Sequence, residues 1–146
     1  MNLERKISVN RTIPLAPSKI FDVLSNPYLH AVIDGSRTVK GDVKGPNPLK
    51  LGDKFNTKMR TWNIPYRITN TVVEYEENRL IAWAHFGKHR WRYELEAATD
   101  GTIVTETFDW GESLWPRMIE IAGYPTKHPT HMGRTLERLE AYLMQP

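Results

Sequence analysis

Apolar residues follow two different periods along this chain. Between residues 38 and 110 they tend to alternate with polar ones, and after residue 129 they recur at helical spacing. In the last stretch, Pro129 to Met144, the residues Met132, Leu136, Leu139 and Leu143 are spaced by four, three and four, which sets them in one stripe of an α-helix. Arg134, Glu137, Arg138 and Glu140 fall off that stripe. The run holds one glycine, Gly133, and otherwise many strong helix formers. One long amphipathic helix after a series of strands has an economical place, across the concave face of the sheet they form.

Upstream, the pattern predicts a strand, two short helices and then strands. Ile7 and Val9, continued by Arg11 or Ile13, mark a first strand over Lys6 to Ile13, stopped by Pro14. Pro17 suits the first turn of a helix whose apolar face is Ile20, Phe21, Val23 and Leu24. Asn26-Pro27 repeats the device for a second short helix over Tyr28 to Ile33, which Asp34-Gly35 ends. Strands are expected over Thr38 to Val43, Lys54 to Thr61, Tyr66 to Tyr75, Leu80 to Phe86, Arg90 to Ala97 and Thr102 to Trp110. The cleanest alternation sets Trp91, Tyr93, Leu95 and Ala97 against Arg90, Arg92, Glu94 and Glu96. Asp100-Gly101 signals a hairpin. Ser113 can cap a helical piece over Leu114 to Ala122, which Gly123 ends and Pro125 and Pro129 separate from the terminal helix. The fold class is α+β: a curved antiparallel sheet of about seven strands around a long C-terminal helix, with two short helices after the first strand.

Composition narrows the function classes. The 146 residues suit one domain, 1–146, with one core. Cysteine is absent, which excludes disulfides, thiolate metal sites and cysteine nucleophiles. A net charge of +3 with no basic cluster gives little reason to expect nucleic acid. Lys54, Lys58, Arg60, Arg90 and Arg92 fall on outward strand faces, but Glu94 and Glu96 dilute them. No apolar run approaches the roughly 20 residues of a membrane span. Met1 to Lys6 is charged and leads into a strand, which fits a cytoplasmic protein better than a secreted one.

The segments "VNRTIPLAPSKIFDVLSNPYLHAVIDGS", "LKLGDKF", "RLIAWAH" and "DGTIVTETFDW", in this order and spacing, resemble the polyketide cyclase/dehydrase-type members of the START/Bet v 1-like (SRPBCC) superfamily. The resemblance covers essentially the whole chain. It implies the helix-grip fold, in which a strongly curved sheet grips the C-terminal helix and two small helices close one end. Members of that superfamily bind lipids, sterols, hormones or polyketides, and some catalyse cyclisation or dehydration. They share no catalytic motif, so no residue role transfers from them to this chain.

The residues themselves point to a ligand cavity between sheet and helix. Five Trp, six Tyr and four Phe are many for so short a chain, and rigid aromatics with one polar edge suit a flat or amphipathic ligand. The expected lining is Met59, Tyr66, Trp83, His85, Trp91, Tyr93, Glu106, Phe108, Trp115, Met118 and Met132. The plainer alternative for each is that it fills a core. In "IVTETFDW", Val104, Glu106, Phe108 and Trp110 share one face, and Ile103, Thr105, Thr107 and Asp109 the other. Glu106 is expected to face inward, where low solvation would raise its pKa. The catalytic candidates, if there is a reaction, are His85, Glu106 and Asp109, with a His85–Glu106 pair as an acid/base couple. His128 and His131 are three apart around Pro129 with no carboxylate near in sequence, so no metal site is expected, and no cofactor either. Neither a nucleophile elbow nor a phosphate-binding glycine loop occurs.

The leading expectation is therefore a carrier or sensor of a small hydrophobic ligand, as a monomer or a homodimer. The alternatives are a cyclase/dehydrase-type enzyme and a regulatory protein acting through a protein partner.

Overall fold

A computed structural model describes residues 5–146. Seven strands form one antiparallel sheet in the order β1-β7-β6-β5-β4-β3-β2. They are β1 (Lys6–Ile13), β2 (Val39–Lys44), β3 (Lys54–Thr61), β4 (Ile64–Glu76), β5 (Leu80–Ala84), β6 (Arg90–Ala98) and β7 (Gly101–Asp109). Between β1 and β2 lie α1 (Pro17–Leu24), a 3-10 turn (Pro27–Leu29) and α2 (His30–Ile33). After β7 come α3 (Pro116–Ile121) and the long α4 (Tyr124–Leu143). This is the helix-grip arrangement.

Local chemistry sets the breaks. Pro17 opens α1, and the Asn26 side chain accepts a hydrogen bond from Tyr28 N at 3.0 Å, capping the following turn. In β4 the register shifts between Val72 and Glu74. That bulge explains why the sequence between Tyr66 and Tyr75 alternates poorly. Ile68, Asn70 and Val72 face the concave side, and beyond the bulge Tyr75 does, packing edge-on against Phe21 at 5.7 Å.

The terminal helix differs from its expected start. It begins at Tyr124, five residues before Pro129, and runs without interruption through that proline. Pro125 lies in the first turn, where a missing N–H costs nothing, and Pro129 lies one turn on, where it removes only one helical bond. Gly123, at φ 79°, rather than the prolines, separates α3 from α4.

Leu136 and Leu139 of α4 are buried with Ile13, Ile20, Leu24 and Tyr93, so the C-terminal half of the helix is clamped to the sheet and α1. Arg11, on the inner face of β1, reaches Glu140 at 2.9 Å. The loop after α2 presses against α4 at Gly35. Its N–H donates to Thr135 Oγ1 at 2.9 Å, and a Cβ there would collide with the His131 carbonyl and Arg134.

Two substitutions probe this clamp. Leu139→Ala should cost about 2–5 kcal/mol in chemical denaturation, as a truncation inside a packed core. Gly35→Ala, a change of one methyl group on a loop, should still cost about 1–3 kcal/mol by forcing the loop off α4. A neutral result for Leu139→Ala would mean that the helix is not gripped.

Candidate functional site

The N-terminal half of α4 stands away from the sheet, and a cavity of about 510 Å³ lies between them. Strand pairing builds its wall. Trp83 lies opposite Trp91, Trp91 opposite Phe108, and Tyr93 opposite Glu106, so aromatic side chains continue across β5, β6 and β7. Trp91 and Phe108 pack at 4.6 Å and Trp83 and Tyr93 at 5.6 Å. At the α2 end, His30 stacks on Trp83 at 4.6 Å and holds the Leu24 carbonyl through Nε2 at 2.9 Å. Phe55, Thr57 and Asn70 from β3 and β4 complete this side.

Glu106 is on this wall with 2 % exposure, on the face shared by Val104 and Phe108. Its Oε1 has no hydrogen-bond partner among the described residues. Burial raises its pKa to about 8; nearby Asp34 adds to the shift, and the Tyr93 hydroxyl opposes it by favouring the charged form. Tyr93 is itself pushed well above its ordinary value, by burial first and then by Glu106.

Histidines gather at the other end of the cavity. The turn after β5 folds back through Gly87 and Lys88, the latter at φ 65°, with Lys88 N bonded to the His85 carbonyl at 2.9 Å. It brings the His85 and His89 rings to 4.1 Å. From α4, His128 stacks on Tyr124 at 5.2 Å and meets Phe108 edge-on at 4.6 Å. Burial lowers the pKa of His89 and of His128 to about 4, each helped by a neighbouring imidazole. His89 Nδ1 and His131 Nδ1 are buried without partners. Among the described residues no cluster of histidines and carboxylates has the arrangement of a metal site.

Of the residues anticipated from sequence, Met59, Tyr66, Trp83, His85, Trp91, Tyr93, Glu106, Phe108 and Met132 line the cavity. Trp115 and Met118 do not: they are 45 % and 67 % exposed, outside the cavity, where Phe86 meets Trp115 at 5.8 Å. The reason is that α3 packs through Ile119 and turns Met118 outward. Asp109 does not line it either, since strand alternation puts it on the convex face, where it pairs with Arg92 at 3.2 Å. Arg92 and Arg90 also bind Glu74 at 2.8 Å each, so two of the outward arginines are already matched by acids. His85 and Glu106 are not a couple. His85 Nδ1 accepts from Gly87 N at 3.1 Å, and the register separates the two residues by about four positions along the strands, roughly 13 Å.

Sequence reasoning missed His30, Asp34, Asn70, His89, His128, His131 and Thr135 as lining residues. For those on α4 the signal was present. The steps 124, 128, 131, 132, 135 follow one helical face, and starting the helix at Pro129 left Tyr124 and His128 off it.

Residues 4–143 match the family model described as polyketide cyclase / dehydrase and lipid transport. An uncharacterized protein of Mycobacterium tuberculosis strain H37Rv is 42% identical over 138 residues, covering 90% of this chain. This chain spans 62% of the length of that relative. Among solved structures, a Nitrosomonas europaea protein aligns with a TM-score of 0.75 at 16% identity, covering 98% of this chain and 96% of its own. An AHSA1-like protein of Aeromonas hydrophila aligns with a TM-score of 0.62 at 19% identity, covering 97% and 96%. At these identities the structural likeness concerns the fold.

The titrating groups predict how stability depends on pH. With Glu106 raised from 4.5 to about 8, the folded protein keeps a proton that the unfolded chain has released, so stability falls as pH rises through that interval. His30, His89 and His128 are lowered from 6.5 to about 4, so the unfolded chain takes up protons that the folded state refuses, and stability falls as pH drops through that interval. Three imidazoles outweigh one carboxyl on the acid side. Denaturation midpoints should therefore be highest near pH 6.5 and decline on either side. Glu106→Gln should flatten the alkaline decline and steepen the acid one, where the carboxyl no longer offsets the imidazoles. Wild-type stability that keeps rising from pH 6.5 to 8 would contradict the assignment.

Proposed function

The chain belongs to the polyketide cyclase/dehydrase and lipid transport family, the START/Bet v 1-like proteins of polyketide cyclase/dehydrase type, and from that premise we propose that it binds a small hydrophobic or aromatic ligand between sheet and α4, as a carrier or sensor. The observation that carries this reading is the cavity itself. It has about 510 Å³ walled by Phe55, Trp83, Trp91, Tyr93 and Phe108, within the range of small-molecule sites. Exposed Trp62 and Phe86 stand on the β3–β4 and β5–β6 turns, at the same end of the sheet, and exposed Tyr124 opens α4, an apolar border for an entering ligand.

An enzymatic reading has one observation in its favour. A buried carboxyl that holds its proton near neutral pH is what general-acid chemistry uses. It lacks a partner, because His85 is displaced along the strands and Asp109 faces outward. Binding is the reading that needs no second group.

Protein purified from its own host should retain a ligand in native mass spectrometry. The neutral dye Nile red should bind and quench tryptophan emission, and Trp83→Ala or Trp91→Ala should weaken it about tenfold while the protein stays folded. Failure of Nile red to bind would overturn the cavity reading. Conversion of the retained ligand by wild type, reduced about 10²–10⁴-fold in Glu106→Gln, would promote the enzyme instead.

A further inference from the structure

We propose that the cavity selects its ligand by the head group it buries against Glu106, accepting a neutral hydroxyl or phenol and refusing a carboxylate on the same apolar body. This rests on the binding role proposed above and adds the chemistry of the bound group.

The charge inventory of the cavity wall is one-sided. Among the described residues its carboxylates are Asp34 and Glu106, and its one lysine or arginine is Lys127, which is exposed on the first turns of α4 and reaches toward the Ala122 carbonyl. Asp34 is held by Ser36 and by Val39 N at 2.9 Å. Glu106 is held by nothing at Oε1, although only 2 % of the residue is exposed. A carboxylate ligand seated there would bring a second negative charge, beside Asp34, into a desolvated space with no lysine or arginine inside it. His30, His89 and His128 do not supply a cation, because burial keeps them neutral at pH 7.

A hydroxyl meets the same groups without that conflict. It donates to Oε1, which otherwise stays unpaired, and can accept from the Glu106 proton or the Tyr93 hydroxyl. An ammonium head would have to be desolvated against a carboxyl that burial already keeps protonated, so the neutral donor fits better. Elsewhere on the lining, His89 Nδ1 and His131 Nδ1 offer two more unpartnered buried atoms to a second polar group on the ligand.

Three probes with one apolar body separate the possibilities. Displacement of Nile red at pH 7 is compared for 2-naphthol, 2-methoxynaphthalene and 2-naphthoate. Naphthol should compete about tenfold better than the ether, the value of one hydrogen bond to a buried unpaired group. Naphthoate should be weaker than naphthol by about 100-fold or more. In Glu106→Leu the naphthol advantage over the ether should vanish while the ether still binds. Glu106→Gln, a neutral isostere of the protonated carboxyl, should retain the naphthol preference over the ether and leave the penalty on naphthoate in place. Naphthoate competing as well as naphthol in wild type, or a naphthol advantage that survives Glu106→Leu, would overturn the head-group inference and leave the cavity reading standing. Absence of Nile red binding would remove both.

Discussion

The structure depends on a mismatch between one long helix and one curved sheet. At its C-terminal half α4 closes on the sheet, with Leu136 and Leu139 in the same cluster as Ile13, Ile20 and Tyr93. That contact fixes the angle of the helix, and Gly35 against the backbone of α4 fixes it from the α2 side. The N-terminal half then cannot follow the curvature. Met132 still reaches Phe108, Trp110 and Ile119, and His128 meets Phe108, but Tyr124, Lys127 and His131 border open space. The cavity is thus a consequence of where the stripe is tight.

The two faces of the sheet treat the same side chain in opposite ways. Glu74, on the convex face, is paired with Arg90 and Arg92, and its pKa is lowered chiefly by the Arg92 hydrogen bond. Glu106, on the concave face, has no counter-ion, and burial raises it. Alternation along the strands does the sorting, since residues two apart share a face and adjacent ones do not. Arg92 and Tyr93 are adjacent in sequence and serve the two environments separately. A slip of one position in β6 would bury Arg90 and Arg92 and expose Trp91 and Tyr93. Register is therefore as important to the chemistry of the cavity as any lining residue.

Much of the fold was legible because its signals are local or periodic. The apolar stripe of α4, the alternation in β6 and the Asp100-Gly101 turn each report on their own surroundings. The inward direction of Glu106 followed from the company of Val104 and Phe108 on one face of β7. What escaped was of another kind. The length of α4 turned on whether a proline at position 129 breaks a helix, and this depends on how close it lies to the helix start. The outward placement of Trp115 and Met118 depends on which side of α3 meets the body, and a six-residue helix carries too few positions to show a face. The meeting of His85 and His89 is made by a turn with Lys88 in the left-handed region, for which lysine gives no signal.

The polar atoms on this wall carry the functional argument further than the aromatics do. An aromatic wall alone would suit a filled core as well as a binding site. A core under selection for stability alone has no use for Glu106 Oε1, His89 Nδ1 and His131 Nδ1, buried and unpartnered. Each such group costs about 1–3 kcal/mol, a sizeable share of the roughly 5–15 kcal/mol that holds a typical domain together. Leucine or phenylalanine at these positions would avoid that cost and fill space as well. Their retention around one cavity is explained if a bound molecule supplies the missing partners. Binding would then add to the stability of the fold according to the concentration and affinity of the ligand. The least satisfied part of the protein is in this way the part that a ligand can most improve.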